Sequence, residues 1–272
     1  MELKKKNKES KILIKIRKLF CEYLGAFALT YIGSWAIIFS DIDELGDEGV
    51  GFAHGIVLII FTWLSFPISG SHFNPAISLG MIVIRKIEWS LGMFYIIIQF
   101  IGAINGAMFL QSQISEEIME AISDKSLIGL PRPDSPHYDV SGFWTEMFGT
   151  FFIMYTYMAF AVDKNKKKAF EVFPFAFGMM YFLCYITLGD VSGGGFNPAR
   201  ALGPAIIIGK MGNTQFMQFF GPLSGAVLGA LVYKKIFIDE DDEDEEDDEI
   251  YSDEIKEYAM PVKEKPTMME MQ

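Results

Sequence analysis

The sequence is poor in the side chains from which catalytic and metal centres are assembled. It holds two cysteines and three histidines in 272 residues. Cys21 and Cys184 lie far apart in apolar stretches, at no metal-ligand spacing and in no disulfide framework, and read as buried free thiols. His54, His72 and His137 form no nucleophile–base–orienter set, so an enzyme is the least supported class and no cofactor or metal is expected. Charge is scarce as well, at 21% of residues, and it is clumped. Eleven consecutive acidic residues at 239–249 account for all but one of the formal net charge of −12. The basic residues sit in short clusters between apolar segments, which excludes the footprint of a nucleic-acid partner.

What is abundant is apolar surface. The chain is 51% hydrophobic, with 25 Phe and 25 Gly. Six apolar stretches, at about 18–40, 50–68, 88–111, 142–162, 169–190 and 214–238, approach the roughly 20 residues needed to cross a bilayer. The first is too long for the apolar core of a signal peptide and carries Glu22, so it reads as a retained span. Orientation follows from Lys and Arg. Eight precede or open the first span, four more lie at 164–168, and Lys234 and Lys235 close the sixth, whereas the connection after span one is acidic (Asp41, Asp43, Glu44, Asp47, Glu48). The positive-inside rule then places both termini in the cytosol. Three parts follow: a basic N-terminal segment (1–17), a membrane domain (18–238) and an acidic tail (239–272) expected to be disordered.

The membrane domain repeats itself. Residues 69–80 (SGSHFNPAISLG) and 192–203 (SGGGFNPARALG) agree at eight of twelve positions, 123 residues apart. Glu22 with Gly25 and Phe27 matches Glu146 with Gly149 and Phe151, and the Gly102/Gly106 pair matches Gly225/Gly229. The two copies cover about 18–111 and 142–238. Each holds three spans, an odd number, so the second enters the membrane inverted, an arrangement whose solute path lies at the repeat interface near the midplane. The paired glycines read as close helix packing.

Between spans two and three, and between five and six, lies an apolar segment too short to cross. Each starts with Asn-Pro, a strong N-cap followed by a residue preformed for the first helical position. Asn74-Pro75-Ala76 and Asn197-Pro198-Ala199 therefore each open a half-helix of about ten residues, or about 15 Å. Entering from opposite faces, the two would meet near the middle of a core about 30 Å thick. Their N-termini would bring about half a positive charge each to that point.

These two boxes, with Arg200 after the second, resemble the signature of the aquaporin (major intrinsic protein) family over about residues 18–238. The resemblance implies an all-α membrane protein with six transmembrane helices, two re-entrant half-helices and an inverted repeat. It implies a homotetramer whose subunits each pass water or small neutral solutes while excluding protons and ions. In that family the carboxylates of spans one and four hold the re-entrant loops, which suits Glu22 and Glu146; a proton relay is the rival role. The resemblance also implies a constriction formed by His54, Tyr185, Gly194 and Arg200. Common water channels have Phe and His where this chain has His54 and Tyr185. A histidine in span two is similar to branches some of which pass ammonia or hydrogen peroxide. His54 as a packed helix histidine and Tyr185 as a residue facing lipid or a neighbouring helix are the bland alternatives. His72 matches a frequent position at the cytosolic mouth. Ala201 and Ala205, and Phe219 ahead of Gly221 and Pro222, fit the water-channel branch better than the glycerol branch. Gln218 has no reading from sequence. A glycerol channel, a coupled transporter and an adhesive membrane protein with a closed pore are the competing functions.

Overall fold

Long apolar stretches that lie in lipid must close their backbone hydrogen bonds internally, and in the computed structural model they do so as helices. The structure describes residues 2–42, 45–122, 129–133, 139–163 and 169–238. The basic loop at 164–168, His137 and the acidic tail at 239–272 lie outside the described residues. In chain order the helices are α1 (Glu2–Asp41), α2 (Gly46–Ser69), α3 (Pro75–Val83), α4 (Trp89–Gln111), α5 (Glu116–Ala121), α6 (Asp139–Tyr157), α7 (Ala169–Ser192), α8 (Pro198–Ile208) and α9 (Asn213–Phe237). Every regular element among the described residues is helical.

Five of these helices, α1, α2, α4, α7 and α9, are long and apolar enough to cross a membrane. The 19-residue α6 carries Asp139, Thr145 and Glu146 and is continued by a π-helical turn, Met158–Val162, which together cover the sixth expected span. Packing pairs the two halves of the chain. α1 lies against α2 and α4 as α6 lies against α7 and α9, and each half-helix packs on both α4 and α9. Glycine allows this closeness. A Cβ at Gly102 would run into the backbone of Tyr23, and one at Gly225 into the backbone of Met147, so α4 touches α1 and α9 touches α6 main chain to main chain.

The half-helices have 9 and 11 residues, hence about 14 and 16 Å of length. Asn74 and Asn197 cap them in extended conformation, with Pro75 and Pro198 at the first turn. Polarity is distributed inside-out. Glu22, His54, His72, Gln99, Glu146, Arg200 and Gln218 are buried, while Phe20, Trp63, Leu64, Trp89, Phe94 and Phe216 are exposed on the outer surface. Intramembrane polar groups face the bundle interior because lipid offers them no partner.

Candidate functional site

The site begins with two carboxylates. Glu22 of α1 accepts from Ser69 Oγ (2.7 Å) and the His72 amide (3.0 Å) with Oε1, and from the Phe73 amide (2.7 Å) and Gln99 Nε2 (2.8 Å) with Oε2. Glu146 of α6 accepts from the Gly195 amide (2.8 Å) and the Phe196 amide (2.6 Å). Each therefore holds the two residues just before an Asn-Pro box. One turn on, Gly25 and Gly149 take the rings of Phe73 and Phe196, which fill the space a Cβ would need. Both phenylalanines sit at positive φ, 49° and 47°, a region that costs a non-glycine residue about 1–3 kcal/mol and needs surroundings that over-determine it. The carboxylate on the amide and the glycine under the ring supply that determination.

A further tie explains Gln218. Tyr95 of α4 donates its hydroxyl to the Ser69 carbonyl (2.9 Å), and Gln218 of α9, 123 residues later, donates Nε2 to the Ser192 carbonyl (2.8 Å). Ser69 and Ser192 are themselves 123 apart. Gln218 thus does in the second repeat what Tyr95 does in the first. The repeat register contained this pairing, but an aromatic matched to an amide leaves no trace in a residue-by-residue comparison.

The two boxes meet. Asn74 Nδ2 donates to the Phe196 carbonyl (2.9 Å), and Asn197 Nδ2 donates to the Phe73 carbonyl (2.8 Å). Their Oδ1 atoms cap the half-helices, accepting from the Ala76 amide and from the Ala199 and Arg200 amides. An Asn amide carries two N–H donors, so each box spends one on its neighbour and keeps one. Pro75, Ala76, Pro198 and Ala199 are buried around this contact.

On one side of the boxes His54 and Arg200 are in direct contact. Arg200 Nε and Nη2 lie 3.0 and 2.7 Å from His54 Nε2, and His54 Nδ1 lies 2.8 Å from the Val50 carbonyl. Guanidinium only donates and a carbonyl only accepts. His54 is therefore neutral with its proton on Nδ1, and it offers no free nitrogen. Its role as a histidine bonded to a neighbouring helix carbonyl and its contact with Arg200 coexist. Gly33 of α1 makes the room, since a Cβ there would collide with the imidazole. Arg200 Nη1 remains buried without a partner among the described residues.

The imidazole stacks near-parallel to two tyrosines of α7. Tyr185 stacks at 5.4 Å and 15°, and Tyr181, one turn earlier, at 5.8 Å and 14°. Gly194 has φ 63°, and a Cβ there would press into the Tyr185 ring at 2.6 Å, so both its backbone and its neighbour require glycine. Tyr185 also borders an outer cavity of about 80 Å³ shared with Ser40, Asp41, Asp47, Arg132 and Asp190, in which Arg132 pairs with Asp41 at 2.6 Å. Cys184 faces elsewhere, its thiol 3.6 Å from the Gly149 carbonyl on α6.

On the other side of the boxes His72 is buried, with Nδ1 3.0 Å from Ser78 Oγ and its ring edge-on to Tyr95 and Tyr157. Its Nε2 has no partner among the described residues. Tyr157 donates to the Gly70 carbonyl at 2.7 Å. Sequence reading missed Tyr157, Tyr181, Gly33 and Arg132. Tyr181 alone left a signal, being one helical turn before Tyr185 on the same face.

Comparison with known proteins accords with this geometry. The family model for "Major intrinsic protein" matches residues 9–233. The chain is 30% identical over 220 residues to "Aquaporin NIP2-1" of Oryza sativa subsp. japonica, covering 80% of this chain and 70% of that protein. It is 31% identical over 218 residues to "Aquaporin TIP2-3" of Zea mays, covering 78% and 83%. Its fold matches the aquaglyceroporin from Plasmodium falciparum with a TM-score of 0.72 at 21% identity, over 82% of this chain and 97% of that one. The protein is thus an integral multi-pass membrane channel and not an enzyme, and it belongs to the major intrinsic protein, or aquaporin, family.

Proposed function

We propose that each subunit conducts water along a path that enters at the outer cavity, passes Arg200 and Tyr185, runs between Asn74 and Asn197, and leaves past His72. The observation that carries this reading is a pair of orphaned polar atoms. Among the described residues, Arg200 Nη1 and His72 Nε2 are buried without a partner on opposite sides of the boxes. A buried unsatisfied group costs about 1–3 kcal/mol, so a cation donor and an imidazole nitrogen left without partners beside the boxes call for a mobile polar occupant. The remaining N–H of each Asn amide offers it a donor between them.

Selectivity follows from charge and width. The N-termini of α3 and α8 converge on the boxes, each with about half a positive charge, and Arg200 adds a full one. That field repels protons and cations and leaves neutral solutes unhindered. Ammonia and hydrogen peroxide are small enough to share the path. Glycerol is excluded by the stacked His54, Tyr185 and Arg200, with only Gly194 relieving the ring. Both termini face the cytosol, on the strength of the Lys and Arg distribution, and the subunits form a homotetramer in the lipid membrane. The membrane domain comprises about residues 18–238, between the basic segment 1–17 and the tail 239–272.

Stopped-flow light scattering on proteoliposomes tests the reading. Water flux well above bare lipid, with glycerol flux and proton leak at the lipid background, is expected. Flux no faster than bare lipid from correctly folded protein would overturn it and favour a closed, adhesive role.

A further inference from the structure

Between the level of Arg200 and the level of the boxes the chain runs through Gly194, Gly195 and Phe196. The amides of Gly195 and Phe196 are taken by Glu146 on the α6 side. The left-handed turns at Gly193, Gly194 and Phe196 leave the Gly194 and Gly195 carbonyls facing α7. Both carbonyls are occupied by one phenol. Tyr181 places its hydroxyl 2.7 Å from the Gly195 carbonyl and 3.3 Å from the Gly194 carbonyl. Its ring lies flat on His54 of α2 and edge-on to Phe196, at 5.8 Å from each. Only 1% of Tyr181 is exposed. The side chain therefore reaches from the imidazole on α2 to the carbonyls of the opposite loop, within the interval that a solute must cross after passing Arg200.

The geometry points to Tyr181 as a second permeability-determining residue, a latch beneath the outer constriction that must swing from the Gly194 and Gly195 carbonyls for each file of water to pass. The inference rests on the proposed water path. It gives the channel two aromatic barriers one helical turn apart, with separate tasks. Tyr185 and Arg200 set the size and charge that can enter, and Tyr181 sets how often the way is clear. The latch has one hydrogen and two acceptors, so a single neutral hydrogen bond holds it. The same carbonyls are the acceptors that passing water would use, which makes water itself the competitor that releases it.

Two variants separate the hydroxyl from the ring. Tyr181→Phe keeps the shape, the stacking on His54 and the fold, and loses only the latch. It is expected to raise water permeability per subunit about two- to tenfold, the range one neutral hydrogen bond can hold in a two-state population. The temperature dependence of flux should fall with it. Tyr181→Val removes the ring as well and should raise water flux further while glycerol stays at background, because Tyr185 and Arg200 are intact. The measurement is stopped-flow water and glycerol flux in proteoliposomes, normalised to tetramer counted by quantitative blot and checked by size exclusion. Wild type and both variants conducting water above lipid at equal rates and equal temperature dependence would overturn the latch and leave the water path standing. Lipid-level flux from wild type and both variants, all eluting as folded protein, would overturn the water path and the latch together. A lipid-level wild type with a conducting Tyr181→Val would support both.

Discussion

Replacing Glu22 by Gln distinguishes a loop tether from a proton relay. The carboxylate accepts four hydrogen bonds, from Ser69, His72, Phe73 and Gln99. A Gln amide has one oxygen and one NH2. Its oxygen can keep Ser69 and the His72 amide, but its nitrogen then faces the Phe73 amide and Gln99 Nε2, both donors. Gln99 can turn its own amide over and present oxygen; the Phe73 backbone cannot. One buried N–H is left unpaired, at about 1–3 kcal/mol, and the two bonds retained lose their charge assistance, at about 1 kcal/mol each. Relief from burying a charge offsets part of this, leaving about 2–4 kcal/mol. The loss falls on the loop that carries Asn74 and on a Phe73 already at positive φ. Glu22→Gln should therefore lower the melting temperature of the detergent-solubilised protein and reduce water flux per folded subunit. Glu146→Gln disturbs the Gly195 and Phe196 amides of the second loop in the same way and should show the same loss. Thermal denaturation followed by size exclusion gives the stability, and a pH-sensitive dye inside proteoliposomes gives proton movement. An unshifted melting temperature in Glu22→Gln would refute the tether. A wild-type proton leak above lipid that the substitution abolishes would establish the relay in its place.

The remaining expectations concern the ring, the thiols and the tail. Tyr185→Ala should widen the outer constriction and bring glycerol flux above background, with a further increase when Tyr181→Val is added; wild-type glycerol flux at the level of a glycerol facilitator would mean that Tyr185 does not line the path. Arg200→Val removes the fixed charge and the donor to His54 Nε2, and should admit cation current in planar bilayers; an unchanged lipid-level conductance would count against Arg200 as the cation barrier. Mercurials should not inhibit through the position of Gly194, which has no thiol, nor through Cys184, which faces α6; strong inhibition that vanishes in Cys184→Ser would place that thiol in the path instead. Deleting residues 239–272 should leave unit water permeability unchanged at high salt, because a like-charge block cannot supply a buried core; failure of the truncated chain to assemble would make the tail structural.

The span pattern, the repeat and the half-helices were legible in the sequence because each is a local property of the chain. Apolar runs of membrane length, an Asn-Pro start and a register of 123 residues can be read without knowing what touches what. The paired Glu22 and Glu146 and the glycines one turn after them were legible for the same reason, as motifs repeated in order. The tertiary structure decided what lies between the elements. His54 and Arg200 are 146 residues apart, and their contact exists only because α2 and α8 converge across the repeat interface. That contact takes Nε2 and the Val50 carbonyl takes Nδ1, so the imidazole keeps no free nitrogen, which no inventory of polar side chains around a ring would reveal. Gln218 remained opaque because its partner is a backbone carbonyl on another element, and carbonyls carry no sequence signature. Tyr181 escaped for a related reason: periodicity placed it on the same face as Tyr185, but only the folded loop of residues 193–196 brings two acceptors to its hydroxyl. Sequence by itself determined the architecture, since burial in lipid leaves a chain of this pattern few ways to satisfy its backbone. Which side chains spend their hydrogen bonds on the scaffold and which keep them for a solute was decided only in three dimensions, because that depends on distances between residues the chain keeps far apart.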